Sequence, residues 1–117
     1  MTQVIVLGGG YVVGSYNLNP IEKLEISRGE MGKYLLPEFM GKGLGKLCTQ
    51  EFVRYILRNS IVDEIYIKTL IGNKKNQHVN EAAGFHYTYQ DDKYAYMSVR
   101  KEDINIFKFR KFLTCLF

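Results

Sequence analysis

Apolar residues recur along this chain with two different periods, and the switches between them mark its elements. Gln3 to Leu7 and Tyr11 to Leu18 are rich in β-branched and aromatic residues and flank Gly8-Gly9-Gly10, which predicts a hairpin. Asn19-Pro20 predicts a turn. Leu24 to Leu36 then reads as a longer strand-like region broken by Gly29 and Gly32, where a bulge or the close approach of another backbone or a ligand is expected. Over Gly43 to Arg58 the period becomes helical: Leu44, Leu47, Cys48, Phe52, Val53, Ile56 and Leu57 share one face, and Lys46, Gln50, Glu51 and Arg54 supply a polar one. Glu64 to Leu70 is the next predicted strand. Asn73 opens a second helix that ends at Ala83-Gly84-Phe85, with the glycine where a left-handed C-cap is wanted. Phe85 to Gln90 and Tyr94 to Arg100 are strands joined by a turn at Asp91-Asp92-Lys93. Three strands, a helix, a strand, a helix and two strands predict a mixed α/β domain with a mostly antiparallel sheet.

The stretch Met40-Gly41-Lys42-Gly43-Leu44-Gly45-Lys46 carries the most chemistry. Three alternating glycines stand between the strand-like run ending in Leu35-Leu36-Pro37 and the amphipathic helix. Glycine lets backbone N–H groups approach an anion, and the helix that follows leaves its first amides unpaired at a positive dipole end, so the segment predicts a phosphate cradle. The same residues also serve as a plain strand-to-helix connection. A dinucleotide-binding reading of Val4 to Gly10 fails on spacing. The third glycine of G-x-G-x-x-G falls at Val13, and Ser15 to Pro20 does not begin a helix.

Composition changes this picture only at its edges. The 117 residues make one domain, 1–117, and 46% hydrophobic with 14% aromatic content excludes a disordered chain. No apolar run approaches the roughly 20 residues of a membrane helix, and no secretory signal pattern opens the sequence. Cys48 and Cys115 form neither a disulfide framework nor a zinc spacing, so the expected setting is a reducing one, the cytoplasm. His78 and His86 show no metal spacing either and read as packing or surface residues. A net charge of +4 and a pI near 9.0 favour anionic partners, but the charges are scattered and no nucleic-acid reading element is present, so no nucleic acid and no membrane are expected as partners.

Tyr34 to Lys46 resembles the coenzyme A-binding motif of the GNAT N-acetyltransferase superfamily, Q/R-x-x-G-x-G/A. Asn73 to Phe85 resembles its later N-x-x-(S/N)…E-x-x-G-F segment. The resemblance runs from about Gln3 to Asp103, leaving 103–117 as a C-terminal extension; Glu30 to Phe39 together with Arg100 to Asp103 is most similar to the ribosomal-protein N-acetyltransferase-like branch. It implies an acyl-CoA N-acyltransferase fold with acetyl-CoA as co-substrate. The strand before the glycine loop then splays from its neighbour, and the pantetheine arm pairs with Lys33, Tyr34 and Leu35 as a pseudo-strand. The pyrophosphate meets the amides of Gly41, Lys42, Gly43, Leu44, Gly45 and Lys46. Lys42 and Lys46 add charge, and Asn73 and Asn76 match positions that touch the cofactor arm, Asn73 serving also as a helix cap.

The implied activity is transfer of an acetyl group to a primary amine of a small molecule or peptide. Glu30 matches a glutamate of that branch and is the expected base, directly or through water. Family members often place a tyrosine seven positions after the asparagine matched by Asn73, as proton donor to the thiolate; here Asn80 stands there, and Tyr34, Tyr87, Tyr89, Tyr94 and Tyr96 are available instead, although most tyrosines on such strands are packing residues. Family domains also begin with one further strand and two helices that shape the acceptor pocket. This chain is expected to start after them, either completing the pocket from a second copy as a homodimer or binding coenzyme A as a catalytically silent module. The tail Phe107 to Phe117 reads as an edge strand, a dimer arm or a surface-seeking segment.

Overall fold

A computed structural model of the chain describes residues 2–8, 11–21, 27–37, 43–104 and 115–116. Strands β1 (Thr2–Gly8) and β2 (Tyr11–Pro20) pair antiparallel as the predicted hairpin, with a register shift at Val6/Leu7. β2 pairs antiparallel with β3 (Arg28–Leu35), Gly14 opposite Leu35 and Pro20 opposite Gly29. Helix α1 (Leu44–Arg58) then carries the chain to β4 (Glu64–Leu70), which lies parallel to β3. After α2 (Lys74–Ala82), β5 (His86–Gln90) and β6 (Tyr94–Arg100) form a hairpin whose second strand pairs antiparallel with β4. β7 (Cys115–Leu116) adds an antiparallel edge to β1. The sheet order is β5-β6-β4-β3-β2-β1-β7, the mixed, mostly antiparallel layout that the sequence predicts.

Side-chain alternation decides which face is covered. Tyr16 and Leu18 of β2, Met31 of β3, Ile65 and Ile67 of β4, and Met97 and Val99 of β6 are buried in one cluster with Cys48, Phe52, Val53, Ile56 and Leu57 of α1. Each fully buried side chain of this size contributes about 1.5–3 kcal/mol, so the helical stripe fixes how the sheet is covered. The Tyr16 and Phe52 rings lie 5.5 Å apart, and Gln50 Nε2 donates to Ala82 O at 3.0 Å, tying α1 to α2 over that face. Helix α2 ends as expected: Gly84 takes φ +104, its N–H bonds to Glu81 O, and the Phe85 N–H bonds to Asn80 O.

Two expectations are corrected. The third strand covers Arg28–Leu35 rather than Leu24 to Leu36, residues 22–26 lying outside the described ones. Gly29 and Gly32 mark no bulge: β3 runs through both, and the close neighbour is β2, where a Cβ would press on the side chains of Leu18 and Asn17. In the tail, Cys115–Leu116 forms the edge strand, and the remaining tail residues lie outside the described ones. Among the described residues no helix is long and apolar enough to cross a membrane.

Candidate functional site

β3 and β4 are partners over three positions only, Arg28 to Glu30 against Glu64 to Tyr66. Beyond Glu30, β3 keeps β2 alone as neighbour, and beyond Tyr66, β4 keeps β6 alone. The strands part as expected, leaving an edge of β3 without a ladder partner among the described residues. A cavity of about 510 Å³ opens there. β3 lines it with Lys33, Tyr34 and Leu35, and the start of α1 with Gly43, Gly45 and Lys46. Asn73, Lys75, Asn76 and Val79 close it from α2 and the residue before that helix, and Tyr16 from β2.

The start of α1 is shaped by Gly43. This residue is the N-cap and takes φ 80, the left-handed region that glycine enters freely. The first helical bond runs from Leu47 N to Gly43 O at 3.2 Å, so the Leu44, Gly45 and Lys46 amides have no acceptor within the helix. A Cβ built on Gly43 or Gly45 meets nothing within 4 Å, which leaves open space in front of these donors. Gly41 and Lys42 lie outside the described residues. Asn73 caps α2, its Oδ1 accepting from the Asn76 N–H at 3.2 Å, while Asn76 Nδ2 donates to Thr69 Oγ1 at 3.1 Å.

Lys33 is the residue whose side chain the sequence reading leaves out. It stands on the inward phase of β3, two positions after buried Met31, and its Nζ donates to Asn80 Oδ1 at 2.6 Å and to Thr49 Oγ1 at 3.2 Å. Thr49 in turn donates to Gly45 O at 2.6 Å and lies 3.0 Å from the Tyr16 hydroxyl. Burial pushes the Lys33 ammonium down from 10.5 to about 8. Among the described residues the charged ones that line the cavity are Lys33, Lys46 and Lys75, and no acidic one does.

Glu30 occupies the opposite phase of β3, half-buried beside Tyr66 of β4 and away from the cavity lining. Burial, and after it the charge of Glu30 and a hydrogen bond to its carboxylate, push the Tyr66 phenol up. Of the tyrosines considered as donors, only Tyr34 lines the cavity; Tyr87 donates to Gln77 Oε1 at 2.8 Å and Tyr96 to Asp91 Oδ2 at 3.0 Å. His78 and His86 are exposed, each 3.7 Å from a carboxylate. Among the described residues no cluster of three or more His, Cys, Asp and Glu is placed to hold a metal. Thr49 and Tyr16 carry no local motif. The one available signal was strand alternation, which puts Lys33 in phase with Met31 and so indoors.

The family profile of the acetyltransferase (GNAT) domain matches residues 2–86. Similar solved structures include the Campylobacter jejuni N-acetyltransferase PseH in complex with acetyl coenzyme A, with 16% identity, a TM-score of 0.67, and coverage of 81% of this chain and 64% of PseH. The ribosomal-protein-S5-alanine acetyltransferase of Vibrio fischeri has 18% identity, a TM-score of 0.71 and coverage of 79% and 56%. A spermidine N-acetyltransferase chimera of Vibrio cholerae SpeG and hSSAT has 19% identity, a TM-score of 0.72 and coverage of 86% and 66%. The chain thus spans somewhat less than two thirds of the length of these proteins, and the likeness shows the shared fold. No curated protein sequence matches it.

Proposed function

The chain belongs to the GNAT acetyltransferase family, and from that premise we propose that it moves an acetyl group from acetyl-CoA to a primary amine of a small molecule or peptide. One observation carries the reading: among the described residues the cavity where β3 and β4 part is lined by three lysines and no carboxylate, and a glycine-capped helix start with free amides opens onto it. Such a site suits a long ligand with a pyrophosphate at one end. In this reading the unladdered edge at Lys33, Tyr34 and Leu35 pairs with the pantetheine arm, and the amides of Gly43 to Lys46, with Gly41 and Lys42, receive the pyrophosphate. Lys46 adds charge, and Asn73 and Asn76 face the arm. The amine arrives on the other face of the sheet, where Glu30 takes its proton directly or through water.

Acetyl-CoA and coenzyme A are therefore expected to bind the folded protein with measurable heat and to raise its melting temperature. Gly43→Val should abolish both, since a β-branched residue resists φ 80 and its side chain enters the open space before the amides. Absence of heat and of any thermal shift at millimolar coenzyme A, with circular dichroism showing a folded wild type, would overturn the reading. A second reading, binding without turnover, is favoured by Asn80 standing where a tyrosine donor is common. Cofactor binding with no thiol release across polyamines, aminoglycosides and N-terminal peptides would select it.

A further inference from the structure

Lys33 brings a charge into the interior that packing there does not need. Its partners are neutral: the Asn80 amide oxygen and the Thr49 hydroxyl. Both are held in place, Asn80 being fully buried with its Nδ2 turned toward Thr69 Oγ1 at 3.5 Å and Met97 Sδ at 4.0 Å, and Thr49 being fixed on Gly45 O. Among the described residues these two acceptors account for two of the three N–H bonds of an ammonium, and Lys33 also lines the cavity, so the third is open to whatever occupies it. Thr49, one helical turn beyond Gly45, ties the cation to the first turns of α1, and Asn80 ties it to α2. The cation therefore stands on the cavity wall between the two helices.

We propose that Lys33 is a catalytic acid, giving its Nζ proton to the sulfur that departs when an amine attacks an acyl thioester held in this cavity. The proposal rests on the acetyl-transfer reading. The bond between amine nitrogen and carbonyl carbon forms while the carbon–sulfur bond breaks with its electron pair on sulfur. Sulfur takes the Nζ proton, the attacking nitrogen releases one proton to Glu30 or water, and the neutral Lys33 amine regains one from solvent. Amide and free thiol are the only net products.

The chemistry suits this lysine better than an exposed one. A thiol titrates near ~8.5, and an ammonium lowered to about 8 by burial passes its proton to a thiolate nearly without loss of free energy. An ordinary lysine holds its proton roughly 100-fold more tightly than such a thiol does. Among the described residues, the titratable and charged groups that line the cavity with Lys33 are Tyr16 of β2, Tyr34 of β3, Lys46 of α1 and Lys75 of α2. β4 and β6 present Thr69 and Met97 to its partner Asn80. Among the described residues no carboxylate lines the cavity to hold the proton back.

Coenzyme A and desulfo-coenzyme A are the probes, with thiolate absorbance and calorimetry as readouts on the intact chain. In wild type, bound coenzyme A is expected to show roughly tenfold more thiolate at pH 8 than in Lys33→Gln. Its affinity relative to desulfo-coenzyme A should rise with pH, and this rise should vanish in Lys33→Gln. Lys33→Arg keeps a cation but does not release its proton, so it should retain the bound thiolate while slowing single-turnover transfer about 100- to 10,000-fold. Wild-type binding of both probes with no pH difference between them overturns the proposal and leaves the acetyl-CoA reading standing. Binding of neither probe overturns both. Mass spectrometry showing stoichiometric acetyl on Lys33 after exposure to acetyl-CoA would make it an acceptor and overturn its role as acid.

Discussion

β3 and β4 form one ladder at one end and two separate strands at the other, and the two ends treat charge in opposite ways. At the closed end Glu64 accepts from Arg28 Nε at 2.5 Å and from Arg100 Nε at 2.9 Å, so the buried carboxylate is enclosed by cations from β3 and β6. At the open end the Lys33 ammonium has an amide and a hydroxyl for company, with Lys46 and Lys75 on the same cavity wall. An internal charge is tolerated when it is paired and remains costly when it is not. The closed end satisfies its charges from within, whereas the open end leaves a positive excess for a guest.

The largest expected effect tests the boundary between the ends, where Glu30 is the last paired residue of β3. Glu30→Gln should leave coenzyme A affinity nearly unchanged while acetyl transfer falls about 100- to 10,000-fold, because the amide cannot take a proton. Equal rates on an acceptor that wild type acetylates would remove Glu30 from the mechanism.

Next comes the pH dependence of stability. The Lys33 pKa is lowered on folding, so between about 8 and 10.5 the unfolded chain binds more protons than the folded one, and stability rises with pH across that window. Below pH 8 the burial penalty is fully present. Denaturant melts should show wild type gaining up to ~3 kcal/mol relative to Lys33→Met as pH climbs through that window. A constant difference from pH 7 to 10 would mean the ammonium is not desolvated. At the closed end, Glu64→Gln should lower the melting temperature by several degrees, since two arginines lose their shared carboxylate, and should leave the affinity for coenzyme A intact. Smallest is Asn73→Ala, which removes the α2 cap beside the cavity at a cost of roughly 1 kcal/mol and weakens coenzyme A binding only slightly.

Much of the fold could be read before any coordinates. β4 and β6 have the predicted bounds because period-2 runs there are punctuated by strong turn residues: Asp91 accepts from the Lys93 and Tyr94 amides at 2.9 and 2.6 Å. Gly84 takes the positive φ that its place as a C-cap demanded. Gly29 and Gly32 left three alternatives open because a glycine in a strand signals closeness without saying to what, and the close neighbour lies across the ladder on β2. The pairing of Cys115–Leu116 with β1 is a contact between the two chain ends that no local pattern encodes. At the site, the glycine-rich helix start and the strand edge before it were legible as places, but where the Lys33 side chain goes was not. Its phase on the strand said inward and its charge said outward; the partners that settle the matter, Thr49 and Asn80, are 16 and 47 residues away.

The shortness of the β3–β4 ladder also bears on how the molecule comes together. β1, β2 and β3 are neighbours in sequence, and so are β4, α2, β5 and β6, so each half of the sheet closes over short stretches of chain. The joint between the halves links residues 36 positions apart through three rungs, with α1 bridging behind. Among the pairings of β1 to β6 it has the fewest rungs, and none of them closes over a longer stretch of chain. The cleft is the part of that joint the chain leaves unfinished, and under the proposed function a ligand laid along β3 would supply rungs the polypeptide does not make.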